Sequence, residues 1–94
     1  MIVGIATIQL HLPVNGSLKG KRAAVKPLLA RLHKEFNISA AEIDQQDSWQ
    51  DCTIAVVCVS NDATQSEQIL NKAVHWIEYH RPDLQVVDWQ MELV

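Results

Sequence analysis

At 94 residues, 48% of them hydrophobic and 20% charged, the chain is expected to form a single domain over 1–94. It buries somewhat over ~60% of the surface its unfolded form exposes, which excludes disorder and any need for covalent staples. Net charge is −3, yet six of the 8 Lys and Arg residues (Lys19, Lys21, Arg22, Lys26, Arg31 and Lys34) fall within 19–34, with Glu35 the one acidic residue beside them. The remainder of the chain is strongly acidic, and this asymmetry is the most informative feature of the composition.

The opening MIVGIATIQLHL has no basic n-region and no small-residue cleavage site, and it carries Gln9 and His11. A signal peptide is therefore not expected. No apolar run approaches the ~18 residues of a membrane span, so a cytoplasmic protein without a membrane partner is expected. Residues 2–12 alternate as a strand, apolar on the Ile2, Gly4, Ala6, Ile8, Leu10, Leu12 face and increasingly polar on the face ending in Thr7, Gln9 and His11. Pro13 ends it and Asn15-Gly16 marks a turn.

Ser17 is a candidate N-cap for a helix over 18–36. Leu18, Val25, Leu28, Leu29, Leu32 and Phe36 form its apolar stripe, with Lys19, Arg22, Lys26 and Lys34 on the opposite side. Pro27 predicts a kink near Ala23, or a loose first segment before a firmer helix from about Lys26. Asn37 can end the helix in the left-handed conformation. Residues 38–46 read as a weak second strand, with Ile38, Ala40, Glu42 and Asp44 on one face.

Residues 47–51 form a loop, and TIAVVCVS (53–60) reads as a central strand. Cys52 and Cys58 sit on one face of that strand roughly 20 Å apart. This excludes a disulfide between them and fits small buried hydrophobes in a reducing cytoplasm. Asn61 or Asp62 caps a second helix, 63–80, with Ile69, Leu70, Ala73, Val74 and Ile77 buried. Arg81-Pro82-Asp83 ends it, and 84–93 is a last strand with Val87, Trp89, Met91 and Leu93 alternating against Asp88, Gln90 and Glu92.

The order strand, helix, strand, strand, helix, strand is the ferredoxin-like βαββαβ plan, an α+β two-layer sandwich with two helices on one face of an antiparallel sheet. The other face is left open. Thr7, Gln9, His11, Glu42, Asp44, Asp88, Gln90 and Glu92 are expected there, making it polar and acidic.

The residues offer no catalytic set. The four His are scattered, no glycine-rich phosphate loop is complete, and no serine stands in a nucleophile elbow. Carboxylates with His11 on an open sheet face read more readily as a solvated surface than as a cation site. Neither a metal nor another cofactor is expected, and the chain reads as no enzyme.

Outward Lys and Arg on the first helix can meet backbone phosphates. Lys19, Lys21, Arg22, Lys26, Arg31 and Lys34 are the candidate RNA contacts. One Tyr and one Phe are too few for base readout on the sheet, so contact would be weakly sequence-specific, with no sequence-specific DNA binding. Trp49 lies in the connection after the second strand. Either it folds back over the sheet edge and buries its ring, or it stands exposed as a partner-binding anchor for a protein interface or homo-oligomer. Small-molecule sensing between subunits on the open face is a third reading, by fold analogy alone.

SLKGKR (17–22), NISAAEIDQQDSWQ (37–50) and VSND (59–62), with GIATIQLHLP at the start, together resemble the YlxP-like family of small bacterial proteins, a domain of unknown function. The resemblance covers nearly the whole chain. It implies a ferredoxin-like fold and a cytoplasmic bacterial protein whose gene often lies among genes for transcription termination, translation initiation and ribosome maturation. Ribosomal RNA or a ribosomal subunit is thereby an implied partner. Two positions depart from the family pattern: Gly20 stands where a charged residue is usual, and Pro27 sits inside the first helix.

Overall fold

The alternation of residues 2–12 becomes β1 (Ile2–His11) in a computed structural model that describes all 94 residues. There follow α1 (Leu18–Phe36), β2 (Ser39–Asp44), β3 (Asp51–Ser60), α2 (Ala63–His80) and β4 (Gln85–Leu93). The four strands form one antiparallel sheet in the order β2-β3-β1-β4. Both helices cover one face, which is the ferredoxin-like arrangement read from the sequence.

Burial follows the strand period. Ala6, Ile8, Leu10 and Leu12, with Cys52, Ile54, Val56 and Cys58, point into the core. Val25, Leu28 and Leu32 of α1 and Leu70, Ala73, Val74 and Ile77 of α2 meet them there. At about 25 cal/mol per Å² of apolar surface removed from water, this layer is the main term favouring the fold.

The helix ends are chemically specified. Ser17 accepts a hydrogen bond from the Gly20 amide (3.0 Å) and Asp62 accepts one from the Thr64 amide (3.0 Å). Asn37 takes the left-handed conformation (φ 50°, ψ 47°) at the end of α1. At the end of α2, Arg81 forks the Asp83 carboxylate at 3.1 and 2.9 Å. Its Nη2 also donates to the Ala24 carbonyl (3.1 Å), tying α2 to the middle of α1. The same guanidinium holds the Asp83 carboxyl below its ordinary value.

Two expectations are corrected and a third is narrowed. α1 is one continuous helix across Pro27, which leaves no loose first segment. Pro27 and Ala23 are both exposed, so the carbonyl left without an amide partner faces water. In β2, the side chains at Ile38, Ala40 and Glu42 turn toward the helices, because Ala40 and Glu42 pair opposite the buried Val56 and Ile54. An irregularity between Glu42 and Asp44 then leaves Ile43 half exposed and returns Asp44 to the open face opposite Thr53. In β4, a register shift between Gln9 and Leu10 of the neighbouring strand sets Val86, not Val87, toward the core.

Gly20 has a packing reason. A Cβ there would collide with Asn15 Oδ1 and sit 3.1 Å from Ser17 Oγ. The Asn15 amide is engaged: it donates to the Ser17 carbonyl (2.7 Å) and to the Trp49 carbonyl, joining the β1–α1 turn to the β2–β3 loop. Replacing a helical Gly by Ala ordinarily stabilises by ~1 kcal/mol. Here Gly20→Ala is predicted to destabilise by ~1 kcal/mol because Asn15 must move, and the double variant Asn15→Ala/Gly20→Ala to recover part of that loss. Urea midpoints of the three proteins measure this. A stabilised Gly20→Ala single variant contradicts it.

Candidate nucleic-acid interface

At about 100° per residue, Lys19, Arg22, Lys26, His33 and Lys34 fall on one side of α1, and all five are exposed. From Lys19 to Lys34 they span 16 residues of helix, or about 22 Å. Nothing acidic stands among them. Glu35 is one residue round the helix and is engaged by Arg31 (3.2 Å, four residues apart). Arg31 flanks the stripe on the side facing α2, and its guanidinium carbon lies 5.5 Å from the centre of the Trp76 ring. Five of the six basic residues expected on the surface are therefore there.

Lys21 is not. It is 2% exposed and lies on the same side of α1 as Val25, Leu28 and Leu32. Its Nζ donates to the Gln45 carbonyl and, at 2.9 Å, to the Ser48 carbonyl, both in the β2–β3 loop. Its third neighbour is Glu42 Oε2, also 2.9 Å away. That oxygen has no hydrogen bond of good geometry, so the contact is a charge attraction. An ammonium has three donors and no acceptor, and here three oxygens surround it. Lys21 thus serves architecture, and it is withdrawn as a contact for RNA.

Cys52 lies beside the same carboxylate. Burial, and then the neighbouring Glu42, push its thiol from 9.0 up to about 12. It therefore stays protonated at neutral pH and is no nucleophile. Cys58 is likewise buried and unbridged.

The opposite surface of the molecule carries four of the carboxylates, Asp44, Asp51, Asp88 and Glu92. His11 Nδ1 lies 3.0 Å from Asp51 Oδ1 on the open sheet face, with Asp44, Asp88 and Glu92 at the same face. A shallow hollow of about 250 Å³ there is lined by Ile5, Thr7, Gln90, Met91 and Glu92. No three His, Cys, Asp or Glu side chains come together as a metal site would require. Trp49 does not bury its ring: it is 57% exposed, held at its carbonyl by Asn15. No helix is long and apolar enough to cross a membrane.

Sequence reasoning missed the aromatic group on α2. Trp76 and His80 stack (4.6 Å between centres, 21° between planes), Tyr79 meets His80 edge-on (4.9 Å, 73°), and Phe36 meets Trp76 edge-on (6.4 Å, 88°). The spacing 76, 79, 80 along a helix was the available signal.

Lys21→Met leaves Glu42 without its counter-ion and two loop carbonyls without a donor. Removing one partner of a buried pair destabilises by ~3–5 kcal/mol, so a loss of about 3 kcal/mol is predicted, given that Glu42 keeps some access to water. Lys19→Met or Lys26→Met is predicted to change stability by less than about 0.5 kcal/mol. Equal urea midpoints for all three variants contradict this assignment of Lys21.

Comparison with known proteins agrees with the sequence resemblance and the fold. "Uncharacterized protein YlxP" of Bacillus subtilis (strain 168) is 35% identical over 77 residues, covering 82% of this chain and 84% of that protein. Among solved structures, a de novo designed protein, Foldit4, is similar at a TM-score of 0.52 and 10% identity, covering 99% of this chain and 94% of that one. A cofactor-independent oxygenase from Streptomyces nogalater, SnoaB, is similar at a TM-score of 0.51 and 10% identity, over 99% and 90% of the two chains. A VAO-type flavoprotein from Myceliophthora thermophila C1 is similar at 0.56 and 12% identity, but the match spans only 16% of that chain. These structural likenesses show the fold alone. The match of residues 3–91 to the family described as "Protein of unknown function (DUF503)", together with the Bacillus relative, shows that the chain belongs to that family.

Proposed function

We propose that this protein is a non-enzymatic cytoplasmic accessory factor that contacts RNA phosphates, on ribosomal RNA or a ribosomal subunit, through the outer face of α1. The supporting observation is the stripe of Lys19, Arg22, Lys26, His33 and Lys34, all exposed and free of interspersed acid. Arg31 flanks it, partly engaged by Glu35. A net charge of −3 argues against a uniformly basic surface, so attraction to a polyanion is directional. The acidic open sheet face turns away while the helical layer docks.

Contacts of this kind position a protein on a phosphate backbone without reading bases. Lys21 is left out of the set because its ammonium is buried. For a single strand, each phosphate neutralised contributes about 0.7 to the slope of log K against log salt. The variant Lys19→Gln/Arg22→Gln/Lys26→Gln is therefore predicted to bind RNA more weakly and to flatten that slope by about 2. Fluorescence anisotropy with a labelled RNA across a salt series measures it, and an unchanged slope contradicts the proposal.

A second reading rests on Trp49, which is 57% exposed beside the edge strand β2, where Ile43 is 50% exposed. An edge strand flanked by exposed apolar side chains is suited to pairing with another chain. Here the protein is an interaction or oligomerisation module and the basic face is only solvated. Sedimentation velocity at two protein concentrations tests it. Concentration-dependent assembly lost in Trp49→Ala supports this reading, and identical behaviour of the two proteins contradicts it.

A further inference from the structure

We infer that the seam between α1 and α2 is a stacking ledge for unpaired nucleobases, built from Tyr79 and His80 on a foundation of Trp76, so that the nucleic acid this protein engages is single-stranded there. The inference rests on the phosphate-binding reading of α1 and names the form of nucleic acid that reading requires.

The chain has 3 Trp, 1 Tyr and 1 Phe, and three of these five rings, Phe36, Trp76 and Tyr79, meet at this one seam. Trp76 is half-buried and fixed from several sides. Phe36 abuts it edge-on, Arg31 lies over its ring, and His80 stacks on it. His80 is itself held, with Nδ1 3.2 Å from the Trp76 carbonyl four residues earlier.

Tyr79 differs from the others. It is 82% exposed, and the one aromatic contact it makes is edge-on to His80. Burial does not account for so large a ring standing in water beside a pre-formed aromatic stack. Tyr79 meets His80 at 73° with centres 4.9 Å apart, and because His80 is itself stacked on Trp76 the exposed Tyr79 ring extends that stack with a π-system of the kind that nucleobases stack on in a sequence-tolerant way.

Charge selects the occupant. Arg31 joins the seam to the α1 stripe, being three residues from Lys34, its neighbour along the helix surface. On α2, Lys72 and His75 each lie four residues before Trp76 and Tyr79 respectively, on the same exposed side. The acids of α2, Glu67 and Glu78, project from the other flank of that helix. On the α1 side Glu35 pairs with Arg31 (3.2 Å), so the cations beside the rings are a partly engaged Arg31 and Lys72, and aromatic faces bordered in this way match a strand carrying phosphates and bases together. A duplex matches less well, because its bases are stacked on one another and only its phosphates reach the seam.

The test uses the full chain and three fluorescein-labelled probes: a 12-nucleotide RNA without secondary structure, its DNA equivalent, and an RNA duplex of the same length. Anisotropy titrations are run at two salt concentrations on wild type, Tyr79→Ala, Tyr79→Phe and His80→Ala. The wild type is expected to bind both single strands more tightly than the duplex. Tyr79→Ala is expected to weaken single-strand binding about tenfold while leaving duplex affinity and salt slope unchanged, and Tyr79→Phe to keep wild-type affinity. Equal binding of single strand and duplex, or full single-strand affinity in Tyr79→Ala with a normal salt slope, overturns the ledge and leaves the phosphate-binding stripe standing. Absence of salt-sensitive binding to any probe overturns both.

Discussion

The burial of Lys21 is the constraint on which the arrangement of the functional face depends. One ammonium at the start of α1 reaches through the core layer to two carbonyls of the β2–β3 loop and to Glu42. It fixes the roll of α1 about its own axis, because the helix cannot rotate without withdrawing Nζ from three oxygens. Rotation would also break the contact of Arg81 with the Ala24 carbonyl. With the roll fixed, the remaining lysines can only face outward. The buried cation and the exposed ones are thus two consequences of one orientation. A buried ion pair adds little net stability over apolar packing of equal volume, so its contribution here is to position the helix and loop.

The loop held by Lys21 also presents Trp49. Asn15 grips the Trp49 carbonyl from the β1–α1 turn, and Gly20 leaves room for Asn15 to do so. Asn15 and Lys21 thus pin the same loop from two points on the chain. Gly20 is explained within this packing and does not loosen α1. Pro27 is tolerated because it faces water, where solvent can satisfy the carbonyl at Ala23.

Much of this was legible in residue spacing. The ends of α1 and α2, the caps at Ser17 and Asp62, the left-handed Asn37 and the βαββαβ order follow from periodicity and turn chemistry, which are local properties. What failed was facing. Alternation in β2 groups Ile38, Ala40 and Glu42 together, but only the burial of Ile38 says that the group points toward the helices. Glu42 was therefore expected on the wrong side of the sheet. The irregularities at Ile43 and Val87 invert alternation over one residue and leave no signature in the sequence. Lys21 was readable, since it stands four, seven and eleven residues before Val25, Leu28 and Leu32. Counting it as basic outweighed its position. The seam of Trp76, Tyr79 and His80 was partly readable as helix neighbours, whereas its contacts with Arg31 and Phe36 depend on how two distant helices meet.

The central proposal is that the outer face of α1 contacts RNA phosphates on ribosomal RNA or a ribosomal subunit. Its most direct test is co-sedimentation of the purified protein with separated bacterial ribosomal subunits at low and moderate salt. The account predicts association with one subunit that weakens as salt rises, in keeping with phosphate contacts from an exposed cation stripe. No association at either salt contradicts it.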